Sequence, residues 1–175
     1  MTDDEIKNKE FFEAEEDKLR DECGVAGIFQ TLKAAESQKN GDDENPYSIS
    51  DFNAAQKVYY ALYSLQHRGQ DSAGIAVSDG KEVKVHKQMG TIAEVFNPQT
   101  LGDLQGRIAL GHVRYATAGS CTIDNAQPLV QSSKLGTIAV AHNGQLINYE
   151  QLREMLEDAG CTFQSTSDTE VIVKM

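Results

Sequence analysis

No stretch of this sequence approaches the roughly 18 consecutive apolar residues that cross a bilayer, and its start lacks basic residues leading into an apolar run. The expectation is a cytoplasmic protein with no membrane contact. Basic residues are in deficit as well: 16 Lys and Arg stand against 27 Asp and Glu, a formal net charge of −11. Phosphate contact needs a basic footprint, so nucleic acid is excluded as an electrostatic partner, although a small anion can still meet a local arginine. Cysteine is scarce. Cys23, Cys121 and Cys161 are odd in number and far apart, without the paired spacing of a zinc site or a dense disulfide framework. Free thiols and no metal within this chain follow. What remains is ordinary: 175 residues, 39% hydrophobic and 25% charged, enough for one core with an appendage.

The appendage is at the start. Residues 1–22 hold ten acids against four bases, −6 of the total −11, and their apolar residues Ile6, Phe11, Phe12 and Leu19 are too sparse to bury a face. Then comes Cys23-Gly24-Val25-Ala26-Gly27-Ile28-Phe29, a cysteine heading a strand-like run. A cut between Glu22 and Cys23 would put a thiol of pKa about 8.5 and an α-amine of pKa about 7.7 to 8.0 on one residue, nucleophile and base together. The alternative is a small buried cysteine at a strand start, behind an ordinary acidic tail.

Further along, Gly24 to Gln30 reads as a buried strand and residues 33–50 as a long surface loop. From a cap near Ser50-Asp51, the positions Ala54, Ala55, Val58, Ala61, Leu62 and Leu65 follow helical spacing as far as Gly69, predicting a helix packed on a sheet. Ser72–Ser78 and Glu82–Gln88 alternate as strands around the hairpin signal Asp79-Gly80. Arg107–Thr117 and Thr137–Asn148 read as two more strands, separated by a polar loop with Cys121 and Pro128. Tyr149–Ala159 is an amphipathic helix closed by Gly160, with Leu152, Met155, Leu156 and Ala159 on one face. Ser167–Met175 opens with cap chemistry and stops in mid-pattern, as a truncated chain would. Strands clustered between helices without βαβ alternation predict an α+β domain of antiparallel sheets.

Three loops carry polar groups that a core would not want. His67-Arg68-Gly69-Gln70-Asp71-Ser72-Ala73-Gly74 is either a helix C-cap at Gly69 or a functional loop. Gly111-His112-Val113-Arg114-Tyr115-Ala116-Thr117-Ala118-Gly119 sets an arginine in an apolar strand, where its fork suits a carboxylate, either a ligand's or an internal acid's. Ala141-His142-Asn143-Gly144-Gln145-Leu146 contains Asn-Gly, the commonest hairpin turn. The same pair could instead aim the Asn143 amide and the Gly144 N–H at a developing oxyanion.

Together these blocks, with Ser167-Asp168-Thr169-Glu170, resemble the N-terminal-nucleophile glutamine amidotransferases over residues 23–175. The string LQHRGQDSAG behind a cleavable leader looks like the members that open purine synthesis. The resemblance implies a four-layer αββα sandwich of antiparallel sheets, continuing past residue 175, with residues 1–22 an acidic propeptide removed on maturation. It implies that Cys23 attacks the side-chain amide of glutamine, its freed α-amine carrying the proton, and releases glutamate and ammonia through a thioester. Asn143 and Gly144 would stabilise the oxyanion, Arg114 with Thr117 would clamp the α-carboxylate, Asp168 would accept from the α-ammonium, and Arg68 would help shape the site. In such enzymes the ammonia goes to a phosphoribosyltransferase domain using phosphoribosyl pyrophosphate and Mg²⁺. That domain is absent from this stretch, as are the ligands of a [4Fe–4S] cluster that relatives with such leaders often carry. A homo-oligomer is implied for the full-length enzyme. Where relatives have histidine after the threonine of the Arg114 loop this chain has Ala118, so one carboxylate contact is missing or replaced. Two other classes compete: a cysteine hydrolase with a Cys-His dyad drawing on His112 or His142, and an inert folding or assembly module.

Overall fold

The computed structural model describes residues 23–31, 53–115, 121–134 and 136–175. The expectations for the acidic leader, for the loop at 33–50 and for Thr117 fall outside these residues.

A four-stranded antiparallel sheet forms the first layer, in the order β1-β4-β2-β3: β1 (Gly24–Phe29), β2 (Ser72–Ser78), β3 (Val83–Met89) and β4 (Ile108–Arg114). The hairpin predicted at Asp79-Gly80 is present. Gly80 has φ +95, and Asp79 Oδ1 accepts from the N–H groups of Lys81 and Glu82, which closes the turn. β1 differs from expectation. As an edge strand it is only half covered, with Val25 and Phe29 exposed.

Helix α1 (Ala54–Ser64) lies on one face of this sheet, against β4, β1 and β2. Its start is a capping box at Asn53, three residues after the Ser50 region expected. Asn53 Oδ1 accepts from Gln56 N at 2.8 Å, and Gln56 Oε1 accepts from Asn53 N at 2.9 Å. Ala54, Ala55, Val58 and Leu62 are fully buried, at the helical spacing read from the sequence. Val58 and Leu62 each contribute about 1.5–3 kcal/mol by leaving water. They sit directly on β4, because a Cβ at Gly111 would stand 2.5 Å from Val58 Cγ1 and 2.6 Å from Leu62 Cδ1. The helix ends at Ser64, sooner than expected, and a 3-10 turn at Gln66–Arg68 carries the chain to Gly69.

Two short helices, α2 (Ile92–Val95) and α3 (Pro98–Asp103), join β3 to β4. Thr91 with Glu94 and Asn97 with Thr100 cap them, and Pro98 sits in the first turn of α3.

The second layer is the antiparallel pair β5 (Leu129–Ser133) and β6 (Gly136–Val140), which meets the first sheet through β3. β5 lies inside what reads from sequence as a polar loop, since its second half is Gln-Ser-Ser and its first residue follows Pro128. β6 stops at Val140 rather than continuing to Asn148. From His142 onward side chains occupy the backbone N–H groups that a ladder would need: Gln127 takes His142 N and Asp168 takes Leu146 N. Helix α5 (Asp168–Lys174) packs on β5 and β6, and α4 (Tyr149–Asp158) packs on α5. The succession is helix, sheet, sheet, helix, all strand pairs antiparallel. The apolar face expected on α4 is only partly covered: Leu152 and Leu156 are half-buried, and Met155 is 56% exposed.

Candidate active site

The N-terminal end of β1, the C-terminal end of β4 and the loop after β6 converge on Cys23. Its backbone φ is +53, a left-handed conformation in which a non-glycine residue is held at a cost of about 1–2 kcal/mol. Its Sγ lies 3.5 Å from the backbone N–H of Tyr115 and 3.7 Å from Tyr115 O, at the turn-out of β4. Two side chains that are distant in sequence meet its carbonyl. Arg68 Nε donates to Cys23 O at 2.8 Å, and Asn143 Nδ2 donates to the same oxygen at 3.4 Å. Three of the residues singled out from sequence are thus one cluster.

Arg68 reaches this point because the chain behind it can cross β4 at close range. A Cβ at Gly69 would stand 2.7 Å from backbone carbons of Val113 and Arg114, and Asp71 N donates to Arg114 O at 3.0 Å. Gly69 is extended, φ −161, so it is not the left-handed cap that a helix ending in glycine suggests. Its lack of a side chain serves the close approach instead.

Arg114 ends β4 and is buried. Side chains alternate along β4: Ala109, Gly111 and Val113 face α1 and its core, which leaves His112 and Arg114 on the opposite, inter-sheet face. Tyr115, the next residue, touches the Cys23 sulfur. The backbone of Arg114 thus lies one residue before the peptide group that meets the thiol.

The Asn143-Gly144 pair is not a hairpin turn. Neither residue has the positive φ that a type I′ turn requires, and β6 has ended before them. Gly144 is packed against its neighbour, since a Cβ there would stand 2.7 Å from His142 Nε2. Asp168 lies beneath this loop. Its Oδ2 accepts from Leu146 N at 2.7 Å and stands 3.7 Å from His142 Nδ1. Each residue of the Ser167-Asp168-Thr169-Glu170 block has a distinct task. Ser167 Oγ caps α5 by accepting from Thr169 N, Asp168 holds the Asn143 loop, and Thr169 Oγ1 accepts from Gln127 Nε2 at 3.1 Å. Glu170 accepts from Ser165 Oγ at 2.6 Å and from the N–H groups of Gln164 and Ser165.

His112 is entirely buried, and that burial, with the nearby charges of Arg114 and His142, pushes its pKa down to about 4. The backbone of His142 favours its charged form without forming a hydrogen bond of ordinary geometry. A base of pKa about 4 is badly matched to a thiol near 8.5, which argues against His112 as partner of Cys23. His142 turns its Nδ1 toward Asp168. The low value also has a consequence for stability. The folded protein binds this proton less readily than the unfolded chain, whose histidine has the ordinary 6.5. The stability concerned is therefore present above about pH 6.5 and is lost as the pH falls toward 4, on the order of 3 kcal/mol in all. His112→Gln should flatten the acid limb of urea-unfolding midpoints over this window; an unchanged slope would assign the acid sensitivity to other groups.

Sequence reasoning passed over Gln127 and Tyr115. Neither lies in a periodic pattern, and their contacts are to groups distant in sequence: Gln127 to His142 N and Thr169 Oγ1, and Tyr115, through its backbone, to Cys23 Sγ. A cleft of about 260 Å³ lined by Lys87, Asp124, Gln131, Ser165, Glu170 and Lys174 is a separate feature with no residue of the Cys23 cluster. Among the described residues no group of three or more His, Cys, Asp or Glu is placed to hold a metal, and no helix is long and apolar enough to cross a membrane.

Residues 98–175 match a glutamine amidotransferase domain family. Amidophosphoribosyltransferase of Archaeoglobus fulgidus is 52% identical over 153 residues, 87% of this chain and 29% of that protein. The Bacillus subtilis enzyme of the same name is 44% identical over 158 residues, 90% of this chain and 29% of its own length. The solved glutamine phosphoribosylpyrophosphate amidotransferase from B. subtilis, complexed with ADP and GMP, superposes with a TM-score of 0.68 at 41% identity over 86% of this chain and 28% of that one. The chain thus spans under a third of the length of the curated relatives it matches. Over most of its length this chain is homologous to amidophosphoribosyltransferases and shares their antiparallel α+β fold, and its residues 98–175 match the glutamine amidotransferase domain family.

Proposed function

We propose that this chain is the glutamine-hydrolysing part of an amidophosphoribosyltransferase, with Cys23 as nucleophile and mature N-terminus. The observation that carries the reading is the convergence of Arg68 and Asn143 on the carbonyl of Cys23, a residue strained in φ at the head of β1. Removal of residues 1–22 would leave Cys23 without a preceding carbonyl, and so without the φ that is strained. The new α-amine would stand on the same carbon as the thiol's own stem and take its proton. The thiolate would attack the glutamine amide and form a tetrahedral oxyanion, and the Asn143 amide and Gly144 N–H would stabilise it. Collapse would expel ammonia and leave a thioester, which water would hydrolyse to glutamate. The ammonia would be used with phosphoribosyl pyrophosphate to make phosphoribosylamine, in a domain beyond this stretch, at the entry to purine synthesis. Mg²⁺, a [4Fe–4S] cluster and homo-oligomerisation would likewise belong to the longer protein.

Substrate orientation would come from opposed charges. Arg114, with Thr117 three residues further along the chain, would grip the α-carboxylate, and Asp168 would receive the α-ammonium on Oδ1, the carboxylate oxygen that Leu146 N does not use. Arg114→Lys is expected to raise the glutamine KM about tenfold or more, since a point charge cannot reproduce a planar bidentate grip. Alkylation of Cys23 by iodoacetamide, which has neither charged end, should keep its rate. Equal loss of glutamine turnover and alkylation in Arg114→Lys would return the arginine to a structural role.

A further inference from the structure

Among the described residues the loop that bears Asn143 and Gly144 has no strand partner, yet it is held at both ends by side chains, Gln127 buried and Asp168 partly buried. On the far side Asp168 Oδ2 accepts from Leu146 N at 2.7 Å; on the near side Gln127 Oε1 accepts from His142 N at 2.7 Å. Gln127 is 6% exposed, and the other end of its amide, Nε2, donates to Thr169 Oγ1 at 3.1 Å. Because a backbone N–H can only donate, its partner must be the amide oxygen, so the orientation of Gln127 follows from chemistry. This one side chain therefore ties the loop after β6 to the first turn of α5, next to Asp168.

Gln127 is itself seated on the first sheet. Lys87, Gly74 and His112 are register neighbours across β3, β2 and β4 and share the inter-sheet face. At Gly74 the row is bare, and a Cβ there would collide with the carbonyl oxygen of Gln127 and stand 2.7 Å from Lys87 Cβ. Lys87 Nζ donates to Ala126 O at 2.5 Å, holding the preceding residue down. The 126–127 backbone thus lies in a slot floored by glycine, with β4, which ends beside Cys23, as the neighbouring strand.

We propose that Gln127 is a positioning residue: seated over Gly74, it sets the height of the Asn143-Gly144 loop above Cys23 through its bond to His142 N. The inference rests on Cys23 being the nucleophile toward glutamine, but its structural claim can be read separately. In the intact protein, Gln127→Leu removes both amide bonds, whereas Gln127→Glu keeps an oxygen acceptor for His142 N, and the Thr169 hydroxyl can rotate to donate to the second oxygen. Gln127→Leu should lower kcat for glutamine hydrolysis about 10- to 100-fold with KM changed less than about threefold, the size expected when an aligned group shifts by roughly an ångström. Gln127→Glu should recover most of that loss. Hydrogen exchange at the His142 amide should accelerate in Gln127→Leu and not in Gln127→Glu, while iodoacetamide alkylation of Cys23 stays at the wild-type rate in both. Thr169→Val, which leaves the His142 bond in place, provides a milder variant should Gln127→Leu not fold. It should lower kcat severalfold with KM and alkylation unchanged.

Unchanged exchange at His142 in Gln127→Leu, or kcat retained within about twofold despite faster exchange, would overturn the proposal. So would a parallel fall of kcat, alkylation rate and melting temperature in all three variants, which is the pattern of a merely structural residue. Failure of the underlying reading looks different. There Cys23→Ala would keep its glutaminase activity whatever the Gln127 variants do, and the positioning role would fall with it.

Discussion

Cys23→Ala and Cys23→Ser are each expected to abolish glutamine hydrolysis, a fall on the order of 10⁴-fold or more, because no other group in the cluster can form the acyl intermediate. In the full-length protein, synthesis from free ammonia should survive both changes, since that chemistry would lie in the other domain. The same assay tests the leader. Mass spectrometry of the active protein should show Cys23 as its first residue, with residues 1–22 gone. The strained φ of +53 belongs to the uncut chain and disappears once there is no residue before Cys23. An active protein still carrying Glu22 would remove the α-amine from the mechanism and leave the thiol in need of another base. Equal loss of the glutamine and ammonia activities would argue against a division of labour between domains.

The second large effect is expected at Asn143. Asn143→Ala removes one oxyanion donor and should lower kcat about 10²- to 10³-fold, equivalent to about 2.7–4 kcal/mol of barrier, with little change in KM. Asn143→Asp should do at least as badly, since a carboxylate would repel the oxyanion for which it replaces a donor. The amide already reaches Cys23 O at 3.4 Å, a long bond that a tetrahedral oxygen nearby could replace. A KM increase without loss of kcat would instead make Asn143 a substrate-binding group. Single-turnover formation of the thioester would separate the two outcomes.

Much of this architecture could be read in the chain because the physics behind it is local. The helical spacing of Ala54, Ala55, Val58 and Leu62 names the buried face of α1 directly. Asp79-Gly80 specifies a turn that only a positive φ completes, and Ser167 announces α5 by being able to cap it. β5 escaped because a strand of Leu-Val-Gln-Ser-Ser has no alternation until β6 covers it. α2 and α3 escaped because four and six residues hold too little periodicity to register. The continuation of β6 to Asn148 was a reasonable expectation from an apolar run. It failed because acceptors supplied by Gln127 and Asp168, 15 and 22 residues away in sequence, outcompete a ladder there.

The sequence by itself singled out the residues proposed to carry chemistry. Cysteine after an acidic leader, arginine in an apolar strand and Asn-Gly after a strand are departures from what packing alone would select. Only the tertiary structure decided which groups each of them touches. Gly69 reads as a helix stop and Gly74 as an ordinary position within a strand, yet both are bare patches of backbone where a distant segment of the chain comes down. Asp168 reads as a ligand for an ammonium group, and it is also the acceptor that holds Leu146 N. Such roles depend on hydrogen bonds and close approaches between segments tens of residues apart, and no local propensity or periodicity encodes the distance at which two distant segments meet.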